Sequence, residues 1–191
     1  MKNKQAEIIK TLSDRQLLFH LMLTQFLLLF LSGVLGFFLF SGWNDFKALF
    51  RISDSNIWTI GIPAGLLTVL LDSMLTKILP EKYQDDGGIN ERIFKSLSYP
   101  MLLVVPAVVA VCEEVLFRGV LQSNLGLITA SLIFALVHYR YLFNWYLFVN
   151  MVILSFFMGY LFYWTENLWV CMAVHFIIDF LLGLSIKFKH S

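Results

Sequence analysis

Long apolar runs separated by short polar clusters organise the chain. Leu17 to Phe40 carries no Asp, Glu, Lys or Arg over 24 residues, enough for a helix to cross a hydrocarbon core of about 30 Å. A secretory signal peptide has a shorter apolar centre and a small-residue cleavage site, so this run reads as a retained first span. A second span is expected from about Ile57 to Leu79, with Asp72 inside it and Pro63 as a kink. A third runs from near Ser98 through Pro106 to about Gln122, and a fourth over roughly Leu127–Phe143. The fifth covers Trp145–Trp164 and the sixth Leu168 to about Ile186. The runs are continuous rather than alternating, which argues against strands. The predicted fold is all-α, a polytopic bundle of about six transmembrane helices.

Composition agrees with that pattern. Apolar residues make up 59% of the 191 positions and charged residues 14%, whereas a soluble surface needs roughly 25% charged residues. A water-soluble globule this small could not hide so much apolar surface. Lys and Arg number 14 against 13 Asp and Glu, a balance that excludes a chain-wide basic footprint for nucleic acid. Cys112 and Cys171 lie inside apolar runs and imply no disulfide framework. The partners expected are the lipid bilayer and a membrane-associated peptide or protein.

Tryptophans mark the span ends. Trp43 follows the first span, Trp58 opens the second, Trp145 and Trp164 bracket the fifth, and Trp169 opens the sixth. Their rings suit the headgroup level, where the apolar face is buried and the N–H stays wet. Eleven cations (Lys2, Lys4, Lys10, Arg15, Lys77, Lys82, Arg92, Lys95, Arg140, Lys187 and Lys189) fall on one side, against Lys47 and Arg51 on the other. The positive-inside rule then predicts a multi-pass cell-membrane protein with both termini cytoplasmic. The segment Pro80–Ser96, with Asp85-Asp86-Gly87-Gly88 in its middle, is expected to be a solvated connector. Residues 1–97 form an N-terminal cytoplasmic segment, two spans and that loop, and residues 98–191 a four-span core, within one structural unit.

Ionisable groups in lipid are costly and persist mainly when paired or functional. Those within the spans are Asp72, Glu113, Glu114, Arg118, His138, His175 and Asp179. Asp72 lies near a span end and is expected to reach the interface with Lys77. Glu114 and Arg118 are four apart, on one helical face, and can neutralise each other. Glu113 points about 100° away, with Phe117 rather than a cation one turn on, and is the candidate general base. His138 lies 25 residues after Glu113, and the midpoint falls in the turn-like Ser123-Asn124-Leu125-Gly126. An antiparallel hairpin there puts Glu113 and His138 at the same depth, each roughly 18 Å from the turn. His175 and Asp179 again share one helical face, with Cys171 one turn before. Packing is the expected role of both cysteines, because an apolar site disfavours the thiolate. Asn150 in the fifth span either faces the site or makes one interhelical hydrogen bond.

These residues also fit a family pattern. Glu113-Glu114-Val115-Leu116-Phe117-Arg118 matches EExxxR, Phe134-Ala135-Leu136-Val137-His138 matches FxxxH, and His175-Phe176-Ile177-Ile178-Asp179 matches Hxxx[N/D]. In order and span distribution, the segment from Ser98 to Ile186 resembles the CPBP family of intramembrane proteases. That family includes CAAX prenyl endopeptidases and bacteriocin-processing and self-immunity proteins of the Abi group. The resemblance implies peptide-bond hydrolysis within the membrane. Glu113 and His138 would activate the attacking water, and His175 and Asp179 would help stabilise the oxyanion. Glu114 and Arg118 would act as structural support.

An asparagine at position 179 could donate a hydrogen bond to an oxyanion, whereas an ionised aspartate only accepts. Asp179 therefore either carries a proton or orients His175, and orientation is the favoured role. Glu113, His138, His175 and Asp179 are alternatively a donor set for a divalent metal such as zinc. The chain has no HExxH helix, and a metal-free, glutamate-activated water stays open beside the metal site. Two other functions compete with the protease: a non-catalytic membrane immunity or scaffold protein, and a proton-coupled transporter built on the same carboxylates and histidines.

Overall fold

The computed structural model describes residues 11–80, 83 and 87–189. Lys2, Lys4, Lys10, Lys82, Asp85 and Asp86, named above for orientation and for the hydrophilic loop, lie outside the described residues. Eight helices of three residues or more, merged where they run on continuously, and one 3-10 segment make up the described chain, and no strand occurs in it.

Helix α1 spans Asp14–Leu39 and begins at a capping box, with Ser13 Oγ accepting from Gln16 N–H while Gln16 Oε1 accepts from Ser13 N–H. Its buried residues are Leu17, Gln25 and Ser32, one narrow stripe; Phe19, Phe26, Phe30, Phe37 and Phe38 point outward. Outward phenylalanines in such number suit lipid and not water. A short α2 (Trp43–Lys47) leads to α3, Ile57–Ile78. The first turn of α3, Ile57–Gly61, is π-helical and precedes Pro63, whose ring removes a donor and disturbs the preceding turn. Helix α4 (Ile89–Ser96) is short, and α5 spans Tyr99–Leu125 with a π-helical stretch over Val115–Gln122. Helix α6 covers Leu127–Val137, the 3-10 segment Tyr139–Phe143, α7 Trp145–Thr165 and α8 Leu168–Lys189.

Five of these, α1, α3, α5, α7 and α8, are long and apolar enough to cross a membrane. The expected fourth span is the difference. Helix α6 ends at Val137, about 16 Å of helix at 1.5 Å per residue, and the chain tightens into 3-10 geometry after His138. The cause is local: the His138 ring bonds the Phe134 carbonyl, and the residues that follow, Tyr139, Arg140 and Tyr141, are polar-tipped and suit an interface.

Helix α8 lies at the centre, packed on α3 and α5, and α6 packs on α7 and on the π stretch of α5. Small residues permit the closest approach: a Cβ on Gly65 of α3 would sit 2.9 Å from Ile177 Cβ. This is the packing by small residues that membrane helices favour. Helices α5 and α6 reverse at Gly126, whose φ of 82° only glycine adopts without strain.

The two ends of the bundle differ. At one end Arg92 pairs with Asp14 at 2.8 Å and donates to Leu12 O, while Lys187 donates to Lys95 O and Leu97 O. Residues 12–14 and 187 thus lie at the same end. At the other end Asn167, fully buried, receives Arg51 N–H and Trp169 N–H and donates to Arg51 O and Asp54. The backbone N–H of Asn56, foremost, holds the Asp54 carboxyl below its ordinary value.

One expectation is corrected. The Pro80–Ser96 loop is not merely a solvated connector. Its second half is α4, which buries Ile89 and Ile93 and lays Phe94 against Gly183 of α8. Asp72 is half-buried in α3, and Lys77, five residues on, points in a different direction.

Candidate active site

Glu114 is the hub of the buried polar groups. Its side chain is 1% exposed, with Oε1 2.7 Å from His175 Nδ1 on α8 and Oε2 3.4 Å from Arg118 Nε on its own helix. The contact with Arg118 has ion-pair distance but not the alignment of a hydrogen bond. The π stretch accounts for this, since widened turns rotate residue i+4 away from residue i. Arg118, fully buried, extends instead toward Gln122 Oε1 at 3.5 Å, Ser131 Oγ at 3.4 Å and Ser155 Oγ at 3.4 Å, with its guanidinium over the Phe134 ring. Gln122 donates to Gly159 O at 2.7 Å, and Ser131 and Ser155 donate to each other's carbonyls. One guanidinium thereby ties α5, α6 and α7 together, as a buried cation in lipid requires.

Gln122, Ser131 and Ser155 escape the motif reading. The available signal was weak: Gln122 lies one turn beyond Arg118, and the two serines are small polar interruptions of apolar runs.

Glu113 is the contrast. It is 9% exposed and makes no hydrogen bond or ion pair with any described residue. Two adjacent glutamates thus occupy opposite situations, one held by a cation and a histidine, the other without a partner among the described residues.

His138 is fixed by aromatic packing. Its Nδ1 lies 2.9 Å from Phe134 O, so Nδ1 carries the proton and Nε2 is the free acceptor. Its ring lies 4.6 Å from that of Phe134 and stacks parallel to Tyr141 at 6.2 Å. Phe134 in turn meets Phe117 edge-on at 4.8 Å. Phe117 is one turn beyond Glu113 on α5, and Phe134 one turn before His138 on the antiparallel α6. Stepping one turn away from the Gly126 reversal on each helix brings Glu113 and His138 to a common level.

His175 has a carboxylate at each nitrogen: Glu114 at Nδ1, and Asp179 Oδ2 3.6 Å from Nε2. Asp179 is the outer member, its side chain 31% exposed against 14% for His175. Glu114 makes the shorter of the two contacts with His175, and makes it from another helix.

Cys112 and Cys171 are buried free thiols, and the Cys171 thiol lies 3.8 Å from Met158 O. Asn150 is half-buried and makes no hydrogen bond to a described residue. Among the described residues no group of three or more His, Cys, Asp or Glu is placed to hold a metal ion. With Nδ1 engaged on both rings, His138 and His175 each keep Nε2 as the remaining donor atom, as metal-ligating imidazoles do, and that of His175 faces Asp179 at 3.6 Å.

Comparison with known proteins agrees with the motifs. The family model for type II CAAX prenyl endopeptidase Rce1-like proteins matches residues 95–181. The uncharacterized protein YpbD of Bacillus subtilis (strain 168) is 42% identical over 168 residues, which cover 88% of this chain and 89% of that protein. No solved structure matches the chain.

Proposed function

The chain belongs to the Rce1-like, type II CAAX prenyl endopeptidase family, and from that premise we propose that Glu113 is the general base of an intramembrane endopeptidase. It is a multi-pass membrane protein of a protease family, whose substrate is a peptide or protein in the membrane. The observation that carries the assignment is the division between the two glutamates: Glu114 is bound to Arg118 and His175, and Glu113 is bound to nothing described.

A water between Glu113 and His138 Nε2 is oriented by both. Glu113 takes one proton as the water oxygen bonds to the scissile carbonyl carbon, and the carbonyl π pair moves onto oxygen. When the tetrahedral intermediate collapses, the C–N bond breaks. Its electron pair goes to nitrogen, which receives the proton from Glu113. The products are a carboxylic acid and an amine, the acid then giving its proton to the amine to leave a carboxylate and an ammonium, and Glu113 is restored. His175, held by Glu114, stands with Asp179 on the oxyanion side. Glu114 and Arg118 keep that geometry. The end of the bundle carrying Arg15, Arg92, Lys95, Arg140 and Lys187 faces the cytoplasm of the cell membrane, by the positive-inside rule.

The test compares peptide N-termini in membrane and secreted fractions from wild type, a deletion, and the deletion complemented with Glu113→Ala at matched protein level. The protease reading expects termini that vanish in the deletion and do not return with Glu113→Ala. Full restoration by Glu113→Ala would overturn it in favour of a scaffold or immunity protein.

A further inference from the structure

The site described above has acceptors in excess and donors in short supply. Glu113, Glu114 and Asp179 are carboxylates, and both nitrogens of His175 face carboxylates. His138 donates its Nδ1–H to Phe134 O. An oxyanion forming on the substrate needs an N–H donor in addition to these groups.

Helix α1 holds an uncommitted donor. Gln25 is 2% exposed, its Oε1 is buried without a partner, and the side chain makes no hydrogen bond with any described residue. A carboxamide buried in lipid-embedded protein and left unbonded is costly. Packing places it. Leu17, Leu21 and Met22 of α1 join the cluster that contains Leu102, Val105 and Val109 of α5. Leu28 and Leu35 pack against the cluster of Leu116, Phe117 and Leu121. A Cβ on Gly36 would lie 3.8 Å from Val120. The two helices therefore run parallel, and Gln25, between Met22 and Leu28, lies opposite the stretch between Val109 and Leu116. That stretch contains Glu113, one turn beyond Val109 and one turn before Phe117.

We infer that Gln25, carried by α1 outside the segment that the family model matches, is a further catalytic residue whose carboxamide N–H donates to the scissile carbonyl oxygen as negative charge builds there. It supplies the amide donor that position 179, an aspartate here, lacks. The inference rests on the protease reading, with Glu113 as base. It also explains why a polar side chain occupies the middle of the buried stripe of a helix otherwise facing lipid.

The experiment uses the full chain, purified in nanodiscs, and a fluorogenic peptide spanning the strongest Glu113-dependent terminus from the comparison of N-termini. Gln25→Met, of similar size and without a donor, and Gln25→Glu, of the same shape and without an N–H, are each compared with wild type. Both should lose roughly 100- to 1,000-fold in kcat with little change in KM. The Tm of Gln25→Met should be unchanged or raised, because the residue makes no hydrogen bond to lose. Turnover of Gln25→Met at the wild-type kcat, while Glu113→Gln is inactive, would overturn the donor role and leave the protease standing. A fall in Tm of both Gln25 variants that accounts for their lost turnover would overturn it as well, in favour of a packing role. Cleavage by wild type that Glu113→Gln retains would overturn both.

Discussion

His175 Nδ1 lies 2.7 Å from Glu114 Oε1, so the second glutamate of the EExxxR motif on α5 holds the histidine of the Hxxx[N/D] motif on α8. Glu114 also faces Arg118 at 3.4 Å, and through Arg118 it connects with Ser131 and Ser155. The residue that looks like plain structural support in the sequence is the joint between the two halves of the site.

Glu114→Gln should therefore behave unlike Glu113→Gln. Removing the Glu114 charge leaves Arg118 as an uncompensated buried cation, a loss of about 3–5 kcal/mol by analogy with other broken buried pairs. Thermal unfolding of the purified variants checks this. Glu114→Gln and Arg118→Ala should both melt earlier than wild type, and Glu113→Gln should melt with it. Equal Tm values for all three would remove the structural role of the pair.

The His138 arrangement gives a second prediction. Phe134 stands between Phe117 and His138 and under the Arg118 guanidinium. Phe134→Ala should cost about 3–5 kcal/mol as a large-to-small change in a buried cluster. Phe134→Leu keeps most of the volume, so it should retain most of the stability. It removes the ring against which His138 packs, and turnover should fall by more than the stability does. Parallel melting and cleavage measurements on the two variants separate the effects.

Helical arithmetic made part of this site legible in advance. The Glu114–Arg118 pair follows from i,i+4 spacing, and the common level of Glu113 and His138 follows from equal distances to the Gly126 turn. Contacts between non-consecutive helices have no such arithmetic. Nothing in the spacing of residues 114 and 175 reveals that Glu114 reaches His175. Pairing Asp179 with His175 by i,i+4 was the natural choice, and it identified the longer of the two contacts, 3.6 Å against 2.7 Å. The end of α6 is hidden because aromatic and apolar side chains (Tyr139, Tyr141, Leu142 and Phe143) recur past His138 although the helix does not continue. Helix α4 was hidden for the opposite reason: Ile89, Ile93 and Leu97 form a stripe too short to stand out in a polar loop. Gln25 carries no signal in the sequence, because an uncharged amide in an apolar run breaks no rule of composition.

Docking of α4 is testable through Gly183. A Cβ on Gly183 would lie 2.4 Å from the Phe94 ring, inside any real contact distance. Gly183→Ala should push Phe94 off α8 and loosen residues 87–97, seen as faster limited proteolysis in that segment and a lower Tm. Phe94→Ala makes room for the new methyl, so the double variant should be more stable than the sum of the single changes. Strict additivity would show that the two residues do not share this contact.

Asn167 offers the last test, at the opposite end of the bundle. Its carboxamide is fully buried and receives the backbone N–H groups of Arg51 and Trp169 while donating to Arg51 O and Asp54. Asn167→Ala leaves Arg51 and Trp169 donors and an Arg51 acceptor without this partner, at a cost of about 1–3 kcal/mol for each group that water cannot reach. Asp54 adds a pH dependence. Its folded carboxyl titrates below the ordinary aspartate value, so its contribution is present above that ordinary value and is lost as pH falls through the lower folded one. A melting series from neutral to acid should show the wild type losing part of this stability below pH 4, and Asp54→Asn should lose none of it by this route. Retention of wild-type Tm by Asn167→Ala at neutral pH would show that the loop over residues 48–56 is held by Leu168 N–H and Leu49 O rather than by the carboxamide.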